Sequence, residues 1–164
     1  MGFKKDTFLT TIADYTGHTI DLMAFQGVSA TGEVLLEQAL ASVGSGGTIC
    51  TGVQKLAQRW LIEFLTEIGS LPYLPLRGCA FMQLLRSGQL RTVLDGQQAF
   101  FQSAQQVQLN LQLEETSATP NDEAFGSVLL LDLSKTADSL RLSVQITSAA
   151  GATARLILPI STFM

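Results

Sequence analysis

Histidine and cysteine are scarce in this chain of 164 residues, which contains one histidine, His18, and two cysteines, Cys50 and Cys79. A zinc site needs several such ligands at short spacings, and neither a C-x-x-C nor an H-x-x-x-H pair occurs, so we expect no metal and no cofactor. Two cysteines cannot build a disulfide framework. We therefore expect buried or incidental thiols, and synthesis in a reducing cytoplasm.

The signatures of nucleophilic catalysis are missing as well. The sequence has no G-x-S-x-G elbow, and a Ser-His-Asp or Cys-His mechanism would have to use His18. That histidine follows Gly17 in a turn-like stretch. We expect His18 to be a surface turn residue.

Charge is sparse: 15% of the residues are charged and 46% are hydrophobic, whereas about a quarter are charged in average globular proteins. We expect part of this apolar surface to meet a partner. The ten basic residues are scattered in a chain of net charge −4, which argues against nucleic-acid binding because phosphates require a clustered cationic footprint.

Long apolar runs are also absent. The most apolar stretch is interrupted by four charged residues, Lys55, Arg59, Glu63 and Glu67, so we expect no membrane-spanning helix. The first residues contain no apolar h-region, and Asp6 stands where myristoylation needs Ser or Thr, so we expect neither a secretory signal nor a myristoyl anchor.

The N-terminal part reads as an extension. Residues 3–15 have weak helical spacing and are predicted to form a short helix or an arm. Alternating residues in 19–26 predict a strand, and 34–40 predict either its hairpin partner or a helix; we favour the hairpin. The glycine-rich stretch 42–47 is a flexible connector rather than a phosphate loop, because Thr48 replaces the required lysine. We therefore divide the chain into an extension, 1–47, and a core, 48–164.

The clearest predicted element is an amphipathic helix over 52–68. Its apolar face comprises Val53, Leu56, Ala57, Trp60, Leu61, Phe64, Leu65 and Ile68. The other side carries the four charged residues named above, which we call the charged row and expect to be solvated. Gly69 is predicted to end the helix as its C′ residue.

A proline-stiffened segment, GSLPYLPLRG, follows at residues 69–78, and we call it the strap. Pro72 and Pro75 fix two φ angles, so the strap can be neither helix nor ladder strand. A helix over 80–85 and another over 92–105 are predicted next. Thr92 is the expected N-cap of the latter, with Asp95 in its first turn.

The remainder is predicted to be β-structure. Residues 107–113 alternate with period two, 114–123 form an acidic mobile loop, and 128–133 read as a strand buried on both faces. Residues 140–146 and 154–160 alternate again. The predicted fold class is α+β: a small helical cluster packed on a C-terminal antiparallel meander, with an N-terminal β-hairpin or arm.

One enzymatic alternative uses carboxylates alone. Glu63 and Glu67 lie one helical turn apart and could meet the spacing of a glycoside hydrolase. On a solvated face, however, neither would feel the desolvation that makes a carboxyl group a general acid. We prefer a solvated, non-catalytic role for both.

The strap and its flanks carry a family resemblance. Gly69, Pro75, Gly78, Phe81 and Leu84 follow an amphipathic helix and precede short helices and a C-terminal hairpin. This arrangement resembles the baseplate-wedge or sheath-initiator family of contractile phage tails, sometimes labelled lysozyme-like, over about residues 50–162. The family often has a Glu-Pro-Arg turn where this chain has Gln102–Gln105, so contacts of that turn are not transferred.

The resemblance implies a non-enzymatic virion protein, in six copies around the tail tube at the baseplate, that nucleates the sheath by strand exchange. Its implied partners are tail sheath, baseplate wedge and tail tube proteins, and no nucleic acid or membrane. Open strand edges predicted from the residues also favour addition of a partner strand. The alternatives are a baseplate muramidase and another tail or head-completion adaptor.

Two groups of site residues follow. The strap is expected to dock a wedge neighbour through Pro72, Pro75, Arg77 and Gly78, with Arg77 as an exposed charge on a rigid turn. Strand addition is expected to involve alternating residues of the last two strands, Leu140, Leu142, Val144, Ile146, Leu156 and Leu158.

Overall fold

The computed structural model describes residues 19, 21–22, 25–26, 34–35, 37–38 and 49–161. The predictions for residues 3–15 and for His18 lie outside the described residues. Five short strands come first: β1 (Asp21–Leu22), β2 (Phe25–Gln26), β3 (Val34–Leu35), β4 (Glu37–Gln38) and β5 (Ile49–Cys50). Six longer elements follow: α1 (Gly52–Leu65), α2 (Phe81–Arg86), α3 (Val93–Glu114), β6 (Phe125–Lys135), β7 (Ser139–Ser148) and β8 (Thr153–Ser161).

Helix α1 carries the predicted apolar face. Leu56, Trp60 and Phe64 are completely buried, as amphipathic spacing requires. The helix ends at Leu65 rather than at the predicted residue 68, because the backbone of the following residue is extended (φ −78°, ψ 127°). Gly69 therefore lies in the strap and does not cap the helix.

Helix α3 is longer than predicted and replaces the strand expected over 107–113. Thr92 and Asp95 form a capping box at its start, which confirms both predictions for that turn. Apolar residues at Phe100, Val107 and Leu111 continue one buried stripe at helical spacing. Glutamine and leucine are good helix formers, so this stripe prevails over the period-two pattern.

The C-terminal meander is confirmed. Strands β6, β7 and β8 pair antiparallel in sequence order, with β7 in the centre. The inward residues of β7, Leu140, Leu142, Val144 and Ile146, are all fully buried. Burial of 128–133 on both faces was predicted wrongly: β6 is an edge strand with two register shifts, and Leu129 is 55% exposed.

The helices lie on one face of this sheet, so the fold is α+β as predicted. An aromatic cluster joins the three helices: Trp60 stacks on Phe64 with ring centroids 4.7 Å apart, and Phe64 contacts Phe81 and Phe100. Gly96 allows α3 to approach β6, because a Cβ there would lie 3.1 Å from Leu133. Within the described residues, no helix is long and apolar enough to cross a membrane.

The N-terminal strands fold back onto this core. β2 pairs antiparallel with β4, in agreement with the preferred hairpin, whereas β1 pairs antiparallel with β5 and not with residues 34–40. β3 pairs in parallel with the outer edge of β8, so the sheet order is β3-β8-β7-β6.

Leu111 and Leu113 test the assignment of α3. A strand would place both side chains on one face, but in the helix Leu111 is 1% exposed and Leu113 is 85% exposed. Leu111→Ala is therefore expected to lower the free energy of unfolding by about 2–5 kcal/mol. Leu113→Ala should change it by no more than about 0.5 kcal/mol. Urea denaturation of the two variants measures both values, and equal losses would contradict the helix.

Candidate functional site

The strap is an ordered loop, not an extended tether. Its ends are joined where the Ile68 amide donates to the Cys79 carbonyl and the Cys79 amide donates to the Thr66 carbonyl. Inside it, the Gly69 amide donates to Pro75, and two further turns close at Leu74 and Arg77. No helix or ladder strand occurs within residues 69–78, which confirms that prediction.

The strap presents apolar side chains to solvent. Tyr73 is 95% exposed, Leu76 is 76% exposed and Leu74 is 56% exposed, and the predicted docking residues Pro72 and Pro75 are exposed beside them. Because internal hydrogen bonds already order the loop, a partner binding there would not have to order it. The arrangement suits protein docking.

Arg77 does not provide the free charge expected of it. Its guanidinium turns inward, 2.9 Å from the Glu63 carboxylate, and also pairs with Glu114. The next residue, Gly78, is buried, and its amide donates to Glu63 Oε1 at 2.8 Å. Two of the four predicted docking residues therefore hold the strap down, and the exposed surface of the strap consists of its apolar side chains.

Glu63 is the centre of this anchorage. Only 2% of it is exposed, so the prediction that it is solvated was wrong. Asn110 of α3 donates to the same oxygen at 2.5 Å and lies within 3.4 Å of the carbonyl oxygens of Leu76 and Gly78. A buried carboxylate needs a paired charge and hydrogen bonds, and Glu63 receives both from the strap.

Every member of the charged row has a partner in a later segment. Lys55 pairs with Glu123 and Arg59 with Glu114; Glu63 pairs with Arg77 and Glu67 with Arg86. The row predicted to be solvated is therefore the seam along which the strap, α2, the end of α3 and the turn at 115–124 attach to α1.

These contacts leave little opportunity for carboxylate chemistry. Both oxygens of Glu63 are engaged inside the protein, and Glu67 pairs with Arg86. Neither residue lines the cleft beside Lys55 and Arg59 that the described residues form, so the muramidase alternative gains no support. No cluster of three or more metal-ligating residues occurs in the described part of the chain. Cys50 and Cys79 are buried, and burial raises the pKa of both thiols, which disfavours the reactive thiolate.

A second anchor joins the N-terminal extension to the core. The buried Glu123 carboxylate accepts hydrogen bonds from the amide and hydroxyl of Thr19, and lies 3.3 Å from the Lys55 ammonium. Burial alone raises the pKa of Glu123, but the hydrogen bonds from Thr19 and the charge of Lys55 outweigh it and lower that pKa below its usual value. These groups line a shallow cleft with Arg59 and Thr119.

The strand-addition residues lie deeper in the sheet than expected. Leu140, Leu142, Val144 and Ile146 belong to β7, which is paired on both sides and cannot accept another strand. Leu156 lies beside β3, and Leu158 follows it on β8. Within the described residues, the outer edge of β6 is the long edge without a strand.

Sequence reasoning missed Asn110, Glu123 and the exposed leucines of β6. Asn110 lies between Leu109 and Leu111, next to the buried stripe of α3. A polar residue in that position was the available signal of a buried hydrogen-bonding role. The comparison of Gln102–Gln105 with a family turn was also misplaced, because those residues lie inside α3 and the turn before the next strand is at 115–124.

Comparison of the chain with known family profiles, with curated proteins and with solved structures finds no match in any of the three.

Gly78 and Gly69 form a matched pair for testing the strap. Both have positive φ, 89° and 81°, but a Cβ at Gly78 would lie 2.3 Å from the Thr66 carbonyl oxygen, whereas nothing lies within 4 Å of one at Gly69. Gly69→Ala should cost about 1–2 kcal/mol of unfolding free energy from its backbone conformation. Gly78→Ala should cost more than about 4 kcal/mol, because backbone must move. Similar losses in chemical denaturation would contradict this packing.

The anchor at Glu123 predicts a dependence on pH. Since its pKa is lowered by folding, the carboxylate stabilises the fold above the unfolded-state pKa of about 4.3, and this contribution is lost as the pH falls through the folded-state value. Glu123→Gln should therefore be less stable than the wild type at pH 7, and the difference should shrink below about pH 4. Denaturation curves across this range test it, with Thr19→Ala expected to behave similarly. A difference independent of pH would exclude the anchor.

Proposed function

We propose that this chain is a structural protein of a contractile-tail baseplate, present in six copies around the tube, that nucleates the sheath by receiving sheath strands. Its neighbours are the tail sheath, the baseplate wedge and the tail tube, and its location is the virion. The observation that carries the proposal is the open edge of β6.

That edge is eleven residues long and exposes the side chains of Leu129 and Leu131. Two register shifts twist β6. Between these two shifts, Ser127–Leu130 pair continuously with β7. Unpaired main-chain groups beside apolar side chains are what a partner strand needs for addition to a sheet. Charge, proline and bulges normally blunt such an edge, and residues 127–130, between the two register shifts, carry neither charge nor proline.

The strap supports a second contact. Its exposed Tyr73, Leu74 and Leu76 form an ordered apolar surface away from the charged row, and aromatic side chains are favoured at interfaces. We assign wedge docking to these side chains, with Arg77 and Gly78 as the residues that hold the strap in place.

The positions that carry the family resemblance have structural reasons to be there. Gly78 cannot accept a side chain, and Phe81 is fully buried in the aromatic cluster at the start of α2. Pro75 provides the carbonyl that closes the strap on Gly69. The resemblance therefore concerns residues that shape the strap.

The experiment must spare the core. Deletion of residues 139–164 would remove β7 and β8, whose side chains fill the interior, so loss of sheath in that variant would report unfolding. Arg77→Glu would place a third carboxylate beside Glu63 and Glu114 and has the same defect. Substitutions at exposed side chains avoid both problems.

We expect two surface variants to fail at different steps of assembly. Leu129→Lys with Leu131→Lys should enter the baseplate but leave tubes without sheath, because charge blocks strand addition at β6. Tyr73→Lys with Leu76→Lys should be missing from the particles altogether. Ser117→Lys, in the exposed turn after α3, is the matched control and should give normal tails.

Negative-stain microscopy and mass spectrometry of particles made with each variant give the two readouts, and circular dichroism of the isolated chains verifies folding. Normal sheathed tails from the β6 variant would refute sheath nucleation at this edge. Sheathed tails lacking the chain would favour the adaptor alternative.

A further inference from the structure

The outer edge of β8 differs from that of β6 because it carries a strand of this same chain. On its inner side β8 pairs antiparallel with β7 from Thr153 to Ser161. On its outer side, the described residues form two residue pairs, Val34 with Leu156 and Leu35 with Ile157, and they run in parallel. This is the one parallel pairing between named strands in the described part of the chain.

The strand that makes this contact, β3, follows the segment of the N-terminal extension that is attached to the core; we call this extension the arm. The base of the arm is fixed where Thr19 binds Glu123 and where β1 pairs with β5. Further along, β4 pairs with β2, and β3 lies two positions before β4. Loss of the β3 contact would therefore leave the base of the arm attached to the core.

We infer that the outer edge of β8 is a strand-acceptor site for a strand running parallel to β8, and that β3 occupies it until a partner strand replaces it. The inference deepens the proposed function and rests on it for the identity of the incoming strand, a sheath segment. The orientation comes from the pairing of β3 itself.

The extent of pairing indicates that β3 can be displaced. The described pairing involves Leu156 and Ile157 alone, and parallel pairing is less stable per residue than antiparallel pairing. An incoming strand that pairs along more of β8 forms more main-chain hydrogen bonds than it displaces. Until then, β3 covers an edge that would otherwise promote association between copies.

The edge also defines the chemistry of the incoming strand. Leu156 and Leu158 point into the core, and Ile157, on the opposite face, is 7% exposed. A strand pairing beside them must therefore bring apolar residues to the inward positions, as alternation in a half-buried sheet requires. A strand with charges at these positions is excluded.

Amide hydrogen exchange of the full chain tests whether β3 occupies the site. Val34→Pro with Leu35→Pro should break the pairing of β3, because proline cannot donate to a ladder and its ring disturbs it. The β8 amides that donate to β3 carbonyls, those within residues 155–158 that do not pair with β7, should then exchange about tenfold faster. Val34→Ala with Leu35→Ala keeps these donors and is the matched control. Equal exchange in the two variants would overturn the inference.

A reversible lock tests displacement. Cα partners on adjacent strands lie within disulfide range, so Leu35→Cys with Ile157→Cys should close a bond between β3 and β8. Isolated tube–baseplate complexes carrying this variant are oxidised and given purified sheath protein. We expect no sheath until a reductant is added; sheath growth with the bond shown closed by mass spectrometry would overturn displacement.

The experiments distinguish failure of the proposed sheath nucleation from failure of the acceptor site at β8. If sheath nucleation is wrong, the lysine variant of β6 gives normal tails while the exchange difference between the proline and alanine variants persists. If only the acceptor site at β8 is wrong, the lysine variant loses its sheath and the exchange difference is absent.

Discussion

The buried carboxylate of Glu63 is the constraint on which the arrangement of the strap depends. A carboxylate withdrawn from water must be matched by charge and by hydrogen-bond donors, and α1 alone provides neither. Arg77, the Gly78 amide and Asn110 provide them, so the strap and α3 must meet α1 at this point. Lys55 does the same for the buried carboxylate of Glu123. The pairs of Arg59 with Glu114 and of Glu67 with Arg86 lie nearer the surface, where such a pair is worth about 1 kcal/mol or less.

One consequence is a division of labour within the strap. Its only charged side chain faces inward to satisfy Glu63, while Tyr73, Leu74 and Leu76 remain outside. An exposed apolar surface on an ordered loop is typical of a site that another protein covers.

The spacing of apolar and capping residues in the sequence was enough to predict three features of this fold. The apolar face of α1, the capping box at Thr92 and the alternation in β7 each depend on neighbours within a few residues. The solvation of Glu63 could not be predicted in this way, because its partners lie 15 and 47 positions away in sequence. The prediction for the end of α3 was wrong for another reason. Leucine and glutamine at alternate positions fit both a strand and a helix, and packing of Val107 and Leu111 against the core favours the helix.

The two edges of the sheet present opposite solutions to one problem. A sheet that receives partner strands must keep main-chain groups available, yet an available edge promotes association between copies. At β6 the register shifts twist the strand and only part of it pairs continuously. At β8 the chain's own strand β3 pairs with the edge at Leu156 and Ile157. The central strand β7 cannot take part in either contact, but its pairing holds β6 and β8 at a fixed spacing, and its four buried side chains join the sheet to the core. The proposed strand addition at either edge therefore depends on the same core that the charged row helps to assemble.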